Sequence, residues 1–395
     1  MLYKLENIIE EVKNSKIVVI IDDDQAENGG VFFTPGELAT KENINYMMKH
    51  GTGFTCVSLP EEQIEQITFL QLNQAGRKDN PNAYLISLDD IESRNGVSAE
   101  DRCQTIHKLL KKPIDHSNFK TPGHVFVMKS VSGGVLKKAG FAEAASDLAA
   151  LAGFAPCGVI TEVLSDAGEV LKAEQLLKYA EIEGLPVVTI EALIAHRRET
   201  DCYVVREAEA NLPTEYGQFR MVGFVNKLNG EHHVALVKGT ITEEDEVLVR
   251  VHSECLTGDA FHSLKCDCGE QLAAALQNIE KEGKGVLLYL RQEGRGIGLI
   301  NKIKAYKLQE EGMDTEEANI ALGFPADMRD YGIGAQILNE LSVRKIRLMT
   351  NNPKKLVGLK GHGIEIVERV PLIMDTNVFN QRYFETKKEK MGHLY

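Results

Sequence analysis

The chain lacks an excess of positive charge: 45 Lys and Arg stand against 58 Asp and Glu, for a formal net charge of −13. General nucleic-acid binders and anionic-membrane binders present a basic surface, so this balance argues against both classes. It leaves room for a small polyanion, which needs only a local cluster of cations. No apolar run reaches the roughly 20 residues of a membrane-spanning helix. Low-complexity tracts and internal repeats are also missing. Met1–Lys16 carries Glu and Lys throughout, with Leu2, Leu5, Ile8, Ile9 and Val12 at helical spacing, and reads as an amphipathic helix. There is no cationic start followed by an apolar core, so no signal peptide is expected and the cytoplasm is the expected compartment.

What is present is the composition of a globular protein, 43% apolar and 26% charged, and 395 residues suffice for two domains. Four of the seven cysteines, Cys56, Cys103, Cys157 and Cys202, share no metal-like spacing and read as reduced thiols. In the first half, short β-branched runs at 17–21, 83–88, 124–128, 158–164 and 187–190 predict strands. Helical patterns at 142–152, 173–181 and 191–198 lie among them, and the alternation predicts layered α/β packing. From 198 to 212 the texture turns charged and irregular, which places a domain boundary near residue 200 and predicts domains 1–200 and 201–395. Beyond it, antiparallel strands are expected at 217–225, 233–238 and 247–252, and further strands at 285–290 and 345–350. Helices are expected at 270–282, 298–311 and 334–341. The second domain is thus an α+β unit with a mixed sheet.

Within this second half, Ser253–Gly269 places Cys255, Cys266 and Cys268 at Cys-x10-Cys-x-Cys spacing. Three thiolates can hold zinc and leave its fourth position open. Structural zinc sites are closed by four protein ligands, whereas catalytic ones keep a place for water or substrate. The competing reading is a structural Cys3His knot with His252 or His262 as the fourth ligand.

Two predicted strand-to-helix turns follow. Arg291-Gln292-Glu293-Gly294-Arg295-Gly296-Ile297-Gly298 is a glycine-rich turn whose backbone N–H groups could face an anion. It lacks the Gly-Lys-Ser/Thr ending of a Walker loop. Asn351-Asn352-Pro353-Lys354-Lys355 places two lysines by a second expected helix start. Taken alone these are ordinary solvated turns. If Arg250, Arg295, Arg329, Lys354 and Lys355 converge, they would suit a tri- or tetra-anion. Asp327 and Arg329 could face one side of an extended loop or simply form a salt bridge.

These residues bring the region from about 212 onward close to a known family. Arg250 to Gly269, Arg291 to Tyr306, Asp314-Thr315, Asp327 to Arg329, Thr350 to Lys355, Glu368-Arg369-Val370-Pro371 and Lys390-Met391-Gly392-His393-Leu394 closely resemble GTP cyclohydrolase II of riboflavin biosynthesis. The resemblance implies hydrolysis of GTP to 2,5-diamino-6-(5-phosphoribosylamino)pyrimidin-4-one, formate and diphosphate. It implies zinc on Cys255, Cys266 and Cys268, with Mg²⁺ on the phosphates. Arg250, Val251, His252, Ser253, Glu254, Gln271, Glu293, Gly294, Arg295, Thr315, Thr350 and Lys355 would line the GTP site, with Glu293 or Gln271 reading the guanine edge. Asp327 would be the proton acceptor, Tyr306 an active-site tyrosine, and Arg329 the group at the α-phosphate. Arginine stays charged below about pH 12, so transition-state stabilisation by Arg329 stands beside a covalent role. Zinc lowers the pKa of bound water to roughly 7, which suits attack on the purine imidazole carbon.

The first half resembles 3,4-dihydroxy-2-butanone 4-phosphate synthase, often fused ahead of a cyclohydrolase. The likeness lies in Ile20 to Asp24, Asn95 to Arg102, Thr121 to His124, Gly133 to Leu136 and Gly158 to Glu162. Where that family has Arg-Glu-Asn-Glu-Gly-Asp, this chain has Ala26-Glu27-Asn28-Gly29-Gly30-Val31, and the metal-ligating histidine is Phe141. Glu27 and Glu162 alone survive among the expected metal and acid–base groups, and the half is expected to fold without synthase activity. A working bifunctional enzyme and a non-catalytic GTP-binding regulator are the alternatives. Turnover of ribulose 5-phosphate would mark the first; failure to release formate from GTP would mark the second. Both families imply a homodimer.

Overall fold

The computed structural model describes residues 4–22, 29–65, 85–112, 114–165, 167–325, 327–352 and 363–381. The chain divides into two compact units, Met1–Thr200 and Asp201–Tyr395. Each contains a seven-stranded sheet among the described residues.

In the first unit the strands are β1 (Val18–Ile21), β2 (Gly30–Pro35), β3 (Thr55–Pro60), β4 (Leu88–Asp90), β5 (Phe119–Ser130), β6 (Gly158–Glu162) and β7 (Val187–Thr189). They stand in the order β4-β5-β3-β6-β2-β1-β7. Pairing is mixed: β1 is parallel to β7 and β3 to β5, while β1–β2, β2–β6, β3–β6 and β4–β5 are antiparallel. Successive residues of a strand face opposite sides of a sheet. Val19, Ile21, Phe32 and Val57 enter one buried cluster, shared with Ile44, Met47, Ile106 and Leu176 from helices. Val18, Ile20, Val31 and Phe33 enter another, shared with Ile8, Val12, Leu148 and Leu193. Both faces are therefore covered by helices, which explains why strands such as Val18–Ile21 are apolar without alternation.

The second unit contains β8 (Val204–Thr214), β9 (Gly217–Asn226), β10 (His232–Lys238), β11 (Glu246–Ser253), β12 (Gly285–Leu290), β13 (Lys345–Met349) and β14 (Glu365–Val370). They are ordered β14-β13-β11-β12-β10-β9-β8. The β14, β13, β11 and β12 neighbours run parallel, and the β12, β10, β9 and β8 neighbours run antiparallel. Helix Cys268–Glu282 packs Ala275, Leu276 and Ile279 against Phe219, Leu248 and Leu287 of this sheet.

Three expectations need correction. The strand at 247–252, expected to be antiparallel, is β11 and runs parallel to both β12 and β13. The stretch predicted as irregular, 198–212, is the end of helix Ile190–Thr200 followed by the long strand β8. Among the described residues this strand pairs only with β9, and it is exposed along most of its length. It has no buried face to impose apolar alternation, and its charged side chains protect an edge. The strand predicted at 83–88 begins only at Leu88; residues 83 and 84 lie outside the described residues. Its polar continuation, Asp89 and Asp90, carries the pairing after a register shift. β2 and β3 carry no expectation from the sequence.

Candidate active site

The parallel strands β11, β12 and β13 deliver their carboxyl ends to one region, the usual place for a ligand crevice in open α/β sheets. β11 ends at Ser253, and the Glu254 N–H donates to Leu290 O at 2.8 Å, which joins the ends of β11 and β12. Cys255 follows at once. A short helical turn, Leu256–Asp259, and a loop then lead to Cys266 and to Cys268, the first residue of helix Cys268–Glu282. The three sulfurs lie within 4.8 Å of one another, with Cys255 and Cys266 3.7 Å apart. A tetrahedral zinc with Zn–S bonds of roughly 2.3 Å requires sulfur separations of about 3.8 Å. Gly258 makes this approach possible. A Cβ there would stand 2.9 Å from Cys266 Sγ, 3.0 Å from Cys268 Cβ and 3.2 Å from Cys255 Sγ.

Among the described residues no histidine joins this cluster. His252 directs Nε2 to the Asp259 carboxylate at 3.0 and 3.1 Å. Asp259 also accepts from Cys255 N at 2.9 Å and Tyr289 OH at 2.8 Å, and so braces the cysteine loop. His262 is exposed, with φ 51°. The donor set, spacing and Gly258 cradle fit a thiophilic dication held by three protein ligands.

Hydrogen bonds from Cys266 and Cys268 hold the Cys255 thiol far below the usual range, against burial and with help from Lys302. In return Cys255 pushes Cys266 up to about 11, and hydrogen bonding to both neighbours raises Cys268. Cys255 is thus the thiolate of the cluster, and ionising all three would concentrate negative charge that a dication would offset.

The cysteines line a cavity of about 320 Å³, together with Ser253, Glu254, Glu293, Gly294, Arg295, Tyr306, Thr315 and Arg329. Arg295 projects from the turn after β12, where Gly294, Arg295 and Gly296 have φ of 62°, 64° and 92°. A left-handed arginine is uncommon outside functional turns. Here Arg295 O accepts from Met328 N at 3.0 Å, and Gly296 has no room for a Cβ beside Met328. The turn is thereby fastened to the loop carrying Asp327 and Arg329.

Arg329 grips the Asp327 carboxylate with both Nε (2.8 Å) and Nη2 (2.6 Å), and stacks 5.4 Å from the Tyr331 ring centre. Burial works against the charge on Asp327, but the hydrogen bonds and charge of Arg329 outweigh it and keep its pKa below the ordinary value. Tyr306 hydrogen-bonds Thr257 at 3.1 Å, and burial raises its pKa, so it is a neutral phenol at pH 7.

Arg250, Gln271, Val251 and Thr350 do not line this cavity, and Glu293, which does, is held by hydrogen bonds within the protein. Arg250 is buried and donates to Met349 O at 2.9 Å and to Gln271 Oε1, while its Nε has no partner. Gln271 passes the chain on to Asp267 at 2.6 Å. Glu293 accepts from Leu256 N at 2.7 Å, Gly294 N at 2.8 Å and Lys302 Nζ at 2.8 Å. Both side chains offered for the guanine edge are thus engaged within the protein. Val251 is buried inside β11, and Thr350 is buried and accepts from Asn352 N at 3.0 Å. Lys354 and Lys355 lie outside the described residues.

Sequence reasoning missed Lys302 and Asn319, which also line the cavity. Lys302 stands one helical turn before Tyr306, and this spacing on the helix after the glycine turn was the available signal.

In the first unit, Glu162 is exposed at the end of β6 and Glu27 lies outside the described residues. Val31 is 2% exposed and Phe141 packs on the same apolar cluster. At Gly29, a Cβ would meet Leu171 O and Val170 Cγ1 at 3.0 Å.

Comparison with known proteins agrees with this division. The GTP cyclohydrolase II family matches residues 205–371, and the 3,4-dihydroxy-2-butanone 4-phosphate synthase family matches residues 6–196. The chain is 49% identical over 394 residues to the riboflavin biosynthesis protein RibBA of Bacillus cytotoxicus and to that of Bacillus mycoides, covering 100% of this chain and 99% of each relative. The crystal structure of RibBX, a two domain 3,4-dihydroxy-2-butanone 4-phosphate synthase from A. baumannii, matches with a TM-score of 0.64 at 28% identity, over 94% of this chain and 100% of that one. No helix among the described residues is long and apolar enough to cross a membrane. The chain belongs to the RibBA family of riboflavin biosynthesis enzymes, with a synthase-type domain followed by a cyclohydrolase II domain.

Proposed function

We propose that the chain acts as a GTP cyclohydrolase II, converting GTP to the diaminopyrimidine, formate and diphosphate. The observation that carries this reading is the three-cysteine cluster opening on a cavity that also contains Arg295 and Arg329. Cys255, Cys266 and Cys268 would hold zinc, which supplies Lewis-acid activation of water. Arg295 and Arg329 bind phosphate oxygens, with Mg²⁺ accompanying the triphosphate.

Asp327 is ionised at neutral pH, as a proton acceptor requires. Its pair with Arg329 opens when phosphate offers the guanidinium another anion, and the carboxylate is then released beside the substrate. Arg329 remains charged and stabilises charge developing at the α-phosphate. Tyr306, as a neutral phenol, donates toward the substrate or stays with Thr257. Because Glu293 and Gln271 are held internally, they orient the walls that receive guanine.

The first unit retains the synthase fold without its catalytic set. Val31 and Phe141 are part of, or packed on, a continuous core, and neither side chain can bind a hard cation. We take this unit as a scaffold, dimerisation or regulatory domain for its neighbour, with the working unit a cytoplasmic homodimer. Incubation of the full chain with GTP, with and without a zinc chelator, tests the main reading. Formate and the pyrimidine should appear together and cease together. GTP turnover that survives complete metal removal overturns it.

A further inference from the structure

Lys302 is 9% exposed and lies on helix Leu299–Glu310, yet its ammonium points into the site. Nζ donates to Cys255 Sγ at 3.1 Å and to Glu293 Oε1 at 2.8 Å. Glu293 uses its other oxygen to accept from Leu256 N at 2.7 Å, the residue after Cys255. One helical turn further on, Tyr306 reaches the same loop through Thr257 at 3.1 Å. The helix thus clamps the cysteine loop at two points, and one clamp bears directly on a sulfur.

We propose that Lys302 is a positioning residue of the metal centre, fixing the Cys255 sulfur by a charge-assisted N–H···S bond and separating it from the Glu293 carboxylate. This deepens the zinc reading and rests on it. Both anions are buried, and without the ammonium they would face each other with no cation between them. Truncating one partner of a buried charged contact leaves the others uncompensated. Outer partners of metal ligands typically govern affinity by about 10- to 100-fold.

The test compares the full-length protein with K302M, K302R and K302Q. Zinc affinity is read by competition with a chromophoric chelator, and the sulfur-to-metal charge-transfer band by substitution with Co²⁺. K302M should bind zinc about 10- to 100-fold more weakly and shift the band, because the sulfur loses a hydrogen bond. K302R should restore both in part. If K302M does not fold, K302Q carries the same expectation, since its neutral, shorter amide cannot supply the charge-assisted bond to the sulfur. Wild-type affinity together with an unshifted band in K302M or K302Q overturns the proposal and leaves the zinc reading standing. A wild-type protein that takes up no divalent metal overturns both.

Discussion

His233 offers a prediction whose size follows from its surroundings. It is fully buried in β10, and its Nδ1 accepts from the Arg291 N–H at 3.2 Å, at the start of the glycine-rich turn. Its Nε2 is buried with no partner. Burial, reinforced by the charge of Arg291 and opposed by Asp330, lowers its pKa to about 4. The unfolded value is near 6.5, so below that pH the unfolded chain binds a proton that the folded chain resists. The stabilisation is therefore complete above about pH 6.5 and drains away as pH falls toward 4. The gap corresponds to about 3 kcal/mol.

H233N isolates this contribution, since the Asn carbonyl can still accept from Arg291 N–H but does not titrate. Hydrogen exchange of peptides from β10 and β12, read by mass spectrometry between pH 7 and pH 4, reports opening of this sheet. After correction for intrinsic exchange, wild type should lose about 3 kcal/mol more than H233N across the window. Parallel loss in the two proteins would refute the argument and assign acid sensitivity to the carboxylates. Protonation also removes the acceptor for Arg291 N–H, so the turn carrying Arg295 should loosen in step with the strand.

G258A should abolish stoichiometric zinc binding, measured by metal analysis of purified protein, because its methyl group enters the space between the sulfurs. R329A should retain zinc and lower kcat for formate release by about 10²- to 10³-fold, the usual loss for a transition-state charge stabiliser; unchanged kcat would remove Arg329 from the chemistry. Incubation with ribulose 5-phosphate and Mg²⁺ should yield no 3,4-dihydroxy-2-butanone 4-phosphate from wild type or from F141H. Product from either, detected by mass spectrometry, would establish the bifunctional alternative.

Residues differ in how plainly they announce this structure. Val18–Ile21 and Gly285–Leu290 are buried on both faces, so their composition alone marks them as strands. β8 hides because an edge strand exposed along most of its length obeys no apolar pattern. Cys255, Cys266 and Cys268 declare themselves through spacing and do converge. Glu293 and Gln271 have the right chemistry for a purine edge, but spacing cannot reveal that their hydrogen-bonding capacity is spent on Leu256, Lys302, Arg250 and Asp267. Lys302 carries the opposite lesson. A lysine on a helix reads as solvated surface, and only the packing of that helix against the cysteine loop makes it an interior cation.

On the proposed reading, the first unit keeps its fold without the synthase chemistry. Its stability rests on two apolar clusters covering opposite faces of one sheet, built from alternating residues of β1, β2 and β3. The differences from the synthase pattern do not thin those clusters. Val31 is itself a member, and Phe141 covers the cluster's margin. A buried aspartate at position 31 would require compensating partners, whereas valine needs none. At Val31 and Phe141 the change therefore removes a polar burden and adds apolar contact, so these two positions favour the folded state. The same reasoning makes recovery difficult. Restoring an acidic side chain at Gly29 would place its Cβ 3.0 Å from both Leu171 O and Val170 Cγ1, so these neighbours would have to give by a few tenths of an ångström. A single reversion such as F141H should then lower stability, measured as the unfolding midpoint of the first unit, without creating a metal site. If it instead binds Mg²⁺ and leaves stability unchanged, the absorbed-core account is wrong and the old site is still open.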